Sequence, residues 1–121
     1  MQLDVKTLDK FLSITPQEKS IETFNSRDFK TKVIDLVNQN RESVILNLSK
    51  VDFIDSNGLG SLIALVKLLA SYKSKMVICE AKDPVKRIFN LTRLDQVLPL
   101  FVNEEEAKKF LIESVKAGTN V

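Results

Sequence analysis

The chain has 121 residues, 44% hydrophobic and 28% charged, with a net charge of +2. This fits one globular domain with a sizeable core, and the weak, interspersed charge gives no footprint for nucleic acid or an anionic membrane. There is no histidine and a single cysteine, Cys79, which excludes histidine-based acid–base chemistry, His or multi-Cys metal sites and an internal disulfide framework.

No P-loop string, bilayer-length apolar run or secretory apolar segment stands in the sequence, so the expected location is the cytoplasm, with no direct membrane insertion.

In chain order, Leu3 and Val5 alternate with Gln2, Asp4 and Lys6, the two-residue period of a half-buried strand. A second strand fits Phe11 to Thr15, and the polar QEKS run after Pro16 reads as a loop with a short extended piece near Ile21. Asn25 is a candidate N-cap, with Phe24 and Phe29 placed to form a hydrophobic staple. Phe29, Val33, Leu36 and Val37 share a face of the helix that follows, which should end near Gln39 to Asn40.

Ser43 to Ser49 is short and aliphatic and reads as a buried strand. A second helix should run from Asp55 or Ser56 to about Tyr72, with Leu59, Leu62, Ile63, Val66 and Ala70 as its core stripe and Leu69 at the edge. Lys75 to Ala81 is the next strand. Asp83 caps a third helix with Pro84 at its first position, and Val85, Ile88 and Phe89 face inward. Val97 to Phe101 reads as a last strand, at an edge because of Pro99. Asn103 starts a final helix whose first turn carries Glu104, Glu105 and Glu106, matching the helix dipole, and whose inner face is Ala107, Phe110, Leu111 and Val115.

The implied fold is α/β: a mixed four- to five-stranded sheet with an N-terminal antiparallel hairpin and about four helices, mainly on one face. One domain covers 1–116, and 117–121 is expected to be a frayed tail.

Two of the three glycines, Gly58 and Gly60, lie in the string DSNGLG, Asp55 to Gly60, between an apolar strand and an apolar helix. Asp55 and Ser56 have two readings. They are ordinary helix-capping residues, or Ser56 is a hydroxyl placed where charge arrives. On the same helix Leu65, Leu68 and Tyr72 cluster on a flank turned from the expected stripe. That flank is either a broad buried face under neighbouring helices or an exposed apolar ridge continuous with the motif.

The run VDFIDSNGLGSLIAL, with VILNLS before it and MVICEAKDPVKRIFNLTRLDQVLPLF after it, resembles the STAS family. The small bacterial members of that family are anti-sigma factor antagonists. The resemblance covers most of the chain and implies a non-enzymatic regulator without a cofactor. Its partners would be an anti-sigma factor that is also a serine kinase, and a PPM-type serine phosphatase acting on the phosphorylated form.

Ser56 matches the family's phosphorylated serine. The resemblance implies a partner surface of Asp55, Ser56, Asn57, Gly58, Leu59 and Gly60, to which the ridge reading adds Leu65, Leu68 and Tyr72. Three departures stand out. Asn57 replaces a frequent Ser or Thr and leaves Ser56 the only hydroxyl in the string. Asn47 stands where relatives often carry Asp. EKS precedes the first helix where relatives often have glycine.

The alternative function is a stand-alone STAS signalling or transporter-accessory module, with nucleotide binding. A small enzyme has no recognisable nucleophile–base pair to support it. Cys79 reads as a small core residue, and Lys82, Lys86, Arg87 and Arg93 as a solvated face. GLG lacks the third glycine of a dinucleotide loop. The oligomeric state stays open.

Overall fold

The computed structural model describes residues 1–118, with side chains to Ser114. Seven strands, four α-helices and a 3₁₀ turn follow one another: β1 (Leu3–Leu8), β2 (Phe11–Pro16), β3 (Ser20–Ile21), α1 (Ser26–Asn40), β4 (Val44–Asn47), β5 (Phe53–Ile54), α2 (Ser56–Ser71), β6 (Met76–Cys79), α3 (Asp83–Leu91), the 3₁₀ turn Leu94–Gln96, β7 (Leu100–Phe101) and α4 (Glu104–Gly118). Of the tail expected to fray, 117 and 118 continue α4; 119–121 and the side chain of Val115 lie outside the described residues.

The main sheet has the order β1-β2-β4-β6-β7. β1 runs antiparallel to β2, and the remaining neighbours are parallel. β3 and β5 form a separate two-stranded parallel ribbon. The central strands β4 and β6 are buried at every residue, as aliphatic runs covered on both faces must be.

Strand alternation divides the core. Val44, Leu46, Met76 and Ile78 face α1, α2 and α3. Ile45, Val77 and Cys79 face Ala107 and Leu111 of α4 on the other side. Three helices therefore share one face and α4 covers the other.

Several local expectations shift. Phe24 is 75% exposed and forms no staple over the buried Phe29. Asn25 occupies the N-cap position of α1, but its side chain turns back, accepting from Glu22 N–H and donating to Ser20 C=O. Lys82, not Asp83, occupies the N-cap position of α3, without a side-chain capping bond, which moves Pro84 one position inward. The expected last strand shrinks to Leu100–Phe101, because the chain first turns through Leu94–Gln96 and buries Leu98. Among the described residues it pairs only with β6 and is an edge.

The buried stripe of α2 is Gly58, Ser61, Leu62, Leu65 and Leu69. Ile63 is 39% exposed and Ala70 is exposed, while Leu59 and Val66 are half-buried. The helix is apolar almost all round, so periodicity alone did not select the face. The two smallest residues on the true face, Gly58 and Ser61, masked it.

Candidate functional site

Pairing of β5 with β3 brings the DSNGLG string against the turn before α1, with Ser20 opposite Phe53 and Ile21 opposite Ile54. Asp55 follows β5 in extended conformation and donates its N–H to Ile21 C=O at 3.2 Å. Its carboxylate is fully engaged. Oδ1 accepts the Gly58 N–H at 2.9 Å, capping α2, and Oδ2 accepts both the N–H and the hydroxyl of Thr23 at 3.0 Å. The bond from Gly58, reinforced by those from Thr23, holds the Asp55 carboxyl below the usual carboxylate range against a smaller effect of desolvation. Asn57 closes the cluster by donating its side-chain N–H to Thr23 Oγ1 at 2.6 Å.

Ser56 is the first residue of α2 and is exposed. Its hydroxyl makes no hydrogen bond among the described residues, so the capping work falls to Asp55 alone. Ser56 opens onto a groove of about 360 Å³ between the starts of α1 and α2. Gly60 and Ser61 line it from α2, Arg27 and Lys30 from α1.

The two motif glycines differ. Neither has positive φ, so neither serves the left-handed freedom for which glycine is usually placed. Gly58 is buried, and a Cβ there would lie 2.2 Å from Ile21 O and 2.7 Å from Ile54 Cγ2. Its place in the expected partner surface is therefore corrected: it is packed under the ribbon. A Cβ on Gly60 would meet nothing within 4 Å.

The apolar ridge is corrected as well. Leu65 is fully buried, because it lies on the true core stripe of α2. Leu68 is half-buried against the core. Tyr72 is held at the end of α1, its hydroxyl donating to Asn38 Oδ1 at 2.6 Å beneath the Arg41 guanidinium, 4.8 Å from the ring centroid.

Asp55, Ser56, Asn57 and Gly60 thus gather on one surface with Leu59 half-buried beneath, whereas Leu65, Leu68 and Tyr72 do not join them. Thr23, Arg27 and Lys30 do. Sequence reading missed them as site residues because they belong to other segments. The one signal was the short extended piece near Ile21, which pairs with β5.

A second polar cluster lies under α4. Asn47 accepts the Ser49 N–H and donates to Glu80 Oε2 at 3.1 Å and Glu104 Oε1 at 3.3 Å. Ser13 donates to Glu104 at 3.1 Å, and Lys6 pairs with its other oxygen at 3.1 Å. Desolvation pushes the Glu104 carboxyl up, but the bonds from Lys6, Asn47 and Ser13 together hold it below its ordinary value. Cys79 lies in this region, where burial, then Glu104 and Glu80, push its thiol up to about 12. It is an inert core thiol.

This arrangement, an α/β domain with a mixed sheet and an exposed serine just after the Asp55 cap of α2, defines a class of fold. Residues 2–107 match the STAS domain model, and the chain belongs to that family.

It is 32% identical over 66 residues to the anti-sigma F factor antagonist of Paenibacillus polymyxa, a match covering 54% of this chain and 56% of the relative. A proposed anti-sigma factor antagonist of Bordetella bronchiseptica is 24% identical over 88% of this chain and 91% of its own. The crystal structure of another proposed antagonist, from Thermotoga maritima, superposes with a TM-score of 0.83 at 26% identity, covering 90% of this chain and 93% of that one.

Proposed function

We propose that the chain is a cytoplasmic anti-sigma factor antagonist and not an enzyme. Unmodified, it binds an anti-sigma factor that is also a serine kinase, and so releases the sigma factor. The kinase transfers the γ-phosphoryl group of ATP to Ser56 Oγ: the bond from Pγ to the β,γ-bridging oxygen breaks, the Oγ–P bond forms, ADP leaves, and the hydroxyl proton passes to the kinase or solvent. The phosphorylated form no longer binds, and a PPM-type phosphatase restores it by hydrolysis.

The observation that carries this reading is the exposed Ser56 hydroxyl, free of hydrogen bonds among the described residues beside a fully occupied Asp55 carboxylate. A phosphoryl group adds about −1.5 to −2 charges at one point. In a close-packed interface next to Asp55, that charge meets repulsion and desolvation, and each ~1.4 kcal/mol lowers affinity about tenfold.

The test is capture of the partner with unmodified protein, phosphosite mapping by mass spectrometry, and titration of that partner with both forms. Tight binding by the unmodified form alone is expected, with Ser56→Ala not phosphorylated and Ser56→Asp binding weakly. Equal affinity of the two forms, or modification at another residue, overturns the reading.

A further inference from the structure

We infer that a phosphoryl group on Ser56 is received within the protein itself by Arg27 and Lys30, the two cations walling the groove onto which its hydroxyl opens. The inference rests on the reading of Ser56 as the modified residue and adds to it what holds the modified state.

Arg27 and Lys30 lie one helical turn apart on α1, and both line the groove shared by Ser56 and Gly60. Neither makes an ion pair among the described residues, whereas Lys32 on the same helix pairs with Asp28.

The acids around the groove are committed elsewhere. Asp55, the cap of α2, is bound by Gly58 and Thr23. Glu22, ahead of α1, accepts the Ser20 hydroxyl at 2.6 Å. Asp28 holds the N-terminal amine and Lys32. The first turn of α2 has no acidic residue.

Two positive charges beside a phosphoserine of about −2 nearly neutralise it, and Arg adds the planar fork that suits phosphate oxygens. Gly60 leaves the groove floor open, since no side chain rises there. The modified protein then carries its phosphate in a preformed place beside the two cations.

The test uses full-length protein with phosphoserine incorporated at position 56 during synthesis, which needs no kinase. Phosphorus NMR titration gives the second phosphate pKa in wild type, Arg27→Gln, Lys30→Gln, the double variant and a phosphoserine peptide. The wild-type value should fall about half a unit below the peptide's, a surface-screened share of the shift an opposite charge gives. The double variant should return to the peptide value, and the gap in wild type should shrink as ionic strength rises.

A wild-type value equal to the peptide's, or one unchanged in the double variant, overturns the inference. The comparison of wild type with peptide stands even if a variant misfolds. Equal partner affinity of the two forms sinks the switch but leaves this measurement intact, so the two failures are separable.

Discussion

Two substitutions two residues apart should move stability in opposite directions. At Gly58, an alanine Cβ would sit 2.2 Å from Ile21 O, 2.7 Å from Ile54 Cγ2 and 3.0 Å from Ile21 C. Two of these atoms are backbone of β3, and Ile21 O also accepts the Asp55 N–H, so the ribbon must shift and the cap with it. Overpacking of this kind costs about 1–3 kcal/mol, and fixed backbone puts it at the upper end. The helix-propensity gain of about 1 kcal/mol for Gly→Ala offsets part of it. Gly58→Ala should therefore lose about 2 kcal/mol, which lowers the melting temperature of a domain this size by roughly 6–10 °C. Gly60→Ala meets no atom within 4 Å and has negative φ, so only the propensity gain remains. It should gain about 0.5–1 kcal/mol, raising the melting temperature by roughly 2–4 °C. Thermal unfolding followed by circular dichroism, with urea midpoints as a second probe, decides both. A Gly58→Ala protein that melts with wild type, or a Gly60→Ala protein less stable than wild type, would refute the packing argument. In the proposed complex Gly60→Ala should also weaken partner binding despite its greater stability, since the new methyl rises into the groove beside Ser56.

Asn47→Asp should destabilise by about 1–3 kcal/mol at neutral pH, because it exchanges the donor to Glu80 and Glu104 for a third carboxylate. The new group repels its neighbours and titrates high, so the loss should shrink as pH falls, which urea midpoints across pH will read. Asp55 titrates below its unfolded value of about 3.9, so its contribution is present above that pH and is lost as pH falls through the lower folded pKa. Asp55→Asn should flatten that part of the acid limb, and an unchanged limb would count against the cap. Cys79 should resist iodoacetamide in the native protein at about pH 8 and react only after denaturation, because the buried thiol stays protonated there.

Elements whose burial is one-sided or complete were legible. Phe29, Val33 and Val37 mark the inner face of α1, and the aliphatic β4 and β6 could only be buried strands. α2 defeated the same method because its apolar residues surround it: Leu65 sits at the core and Ile63 at the surface, although both fit a helical period. The last strand is shorter than its pattern predicts because Val97 and Leu98 carry strand-like side chains, while the chain there lies just after the 3₁₀ turn Leu94–Gln96. At the site, the cap and the exposure of Ser56 were readable from DSNGLG, since a strand–Asp–Ser–helix junction leaves few alternatives. Thr23, Arg27 and Lys30 were not, because they come from segments some 30 residues away and only the two-residue β3–β5 pairing brings them there. A pair of strands that short carries almost no periodic signal.

The division of labour within the motif supports the proposed switch: a charge added at Ser56 would act without unfolding the domain. Among the described residues, the hydrogen bonds from the string to β3 and the turn before α1 pass through the neighbours of Ser56: the Asp55 carboxylate to Thr23, the Asn57 amide to Thr23, and the Asp55 N–H to Ile21, while the same carboxylate caps α2 at Gly58. Gly58 adds close packing under the ribbon. Ser56 contributes none of these, so esterifying its hydroxyl breaks no bond that holds α2 in place. The proposed modification would change charge and shape on one surface patch and leave the frame beneath it intact. Had Ser56 been the cap, the same phosphoryl group would have removed the first hydrogen bond of the helix, and signalling would have been coupled to local unfolding. Placing the cap on Asp55 and the free hydroxyl one residue later separates the helix cap from the proposed modification site by a single peptide unit.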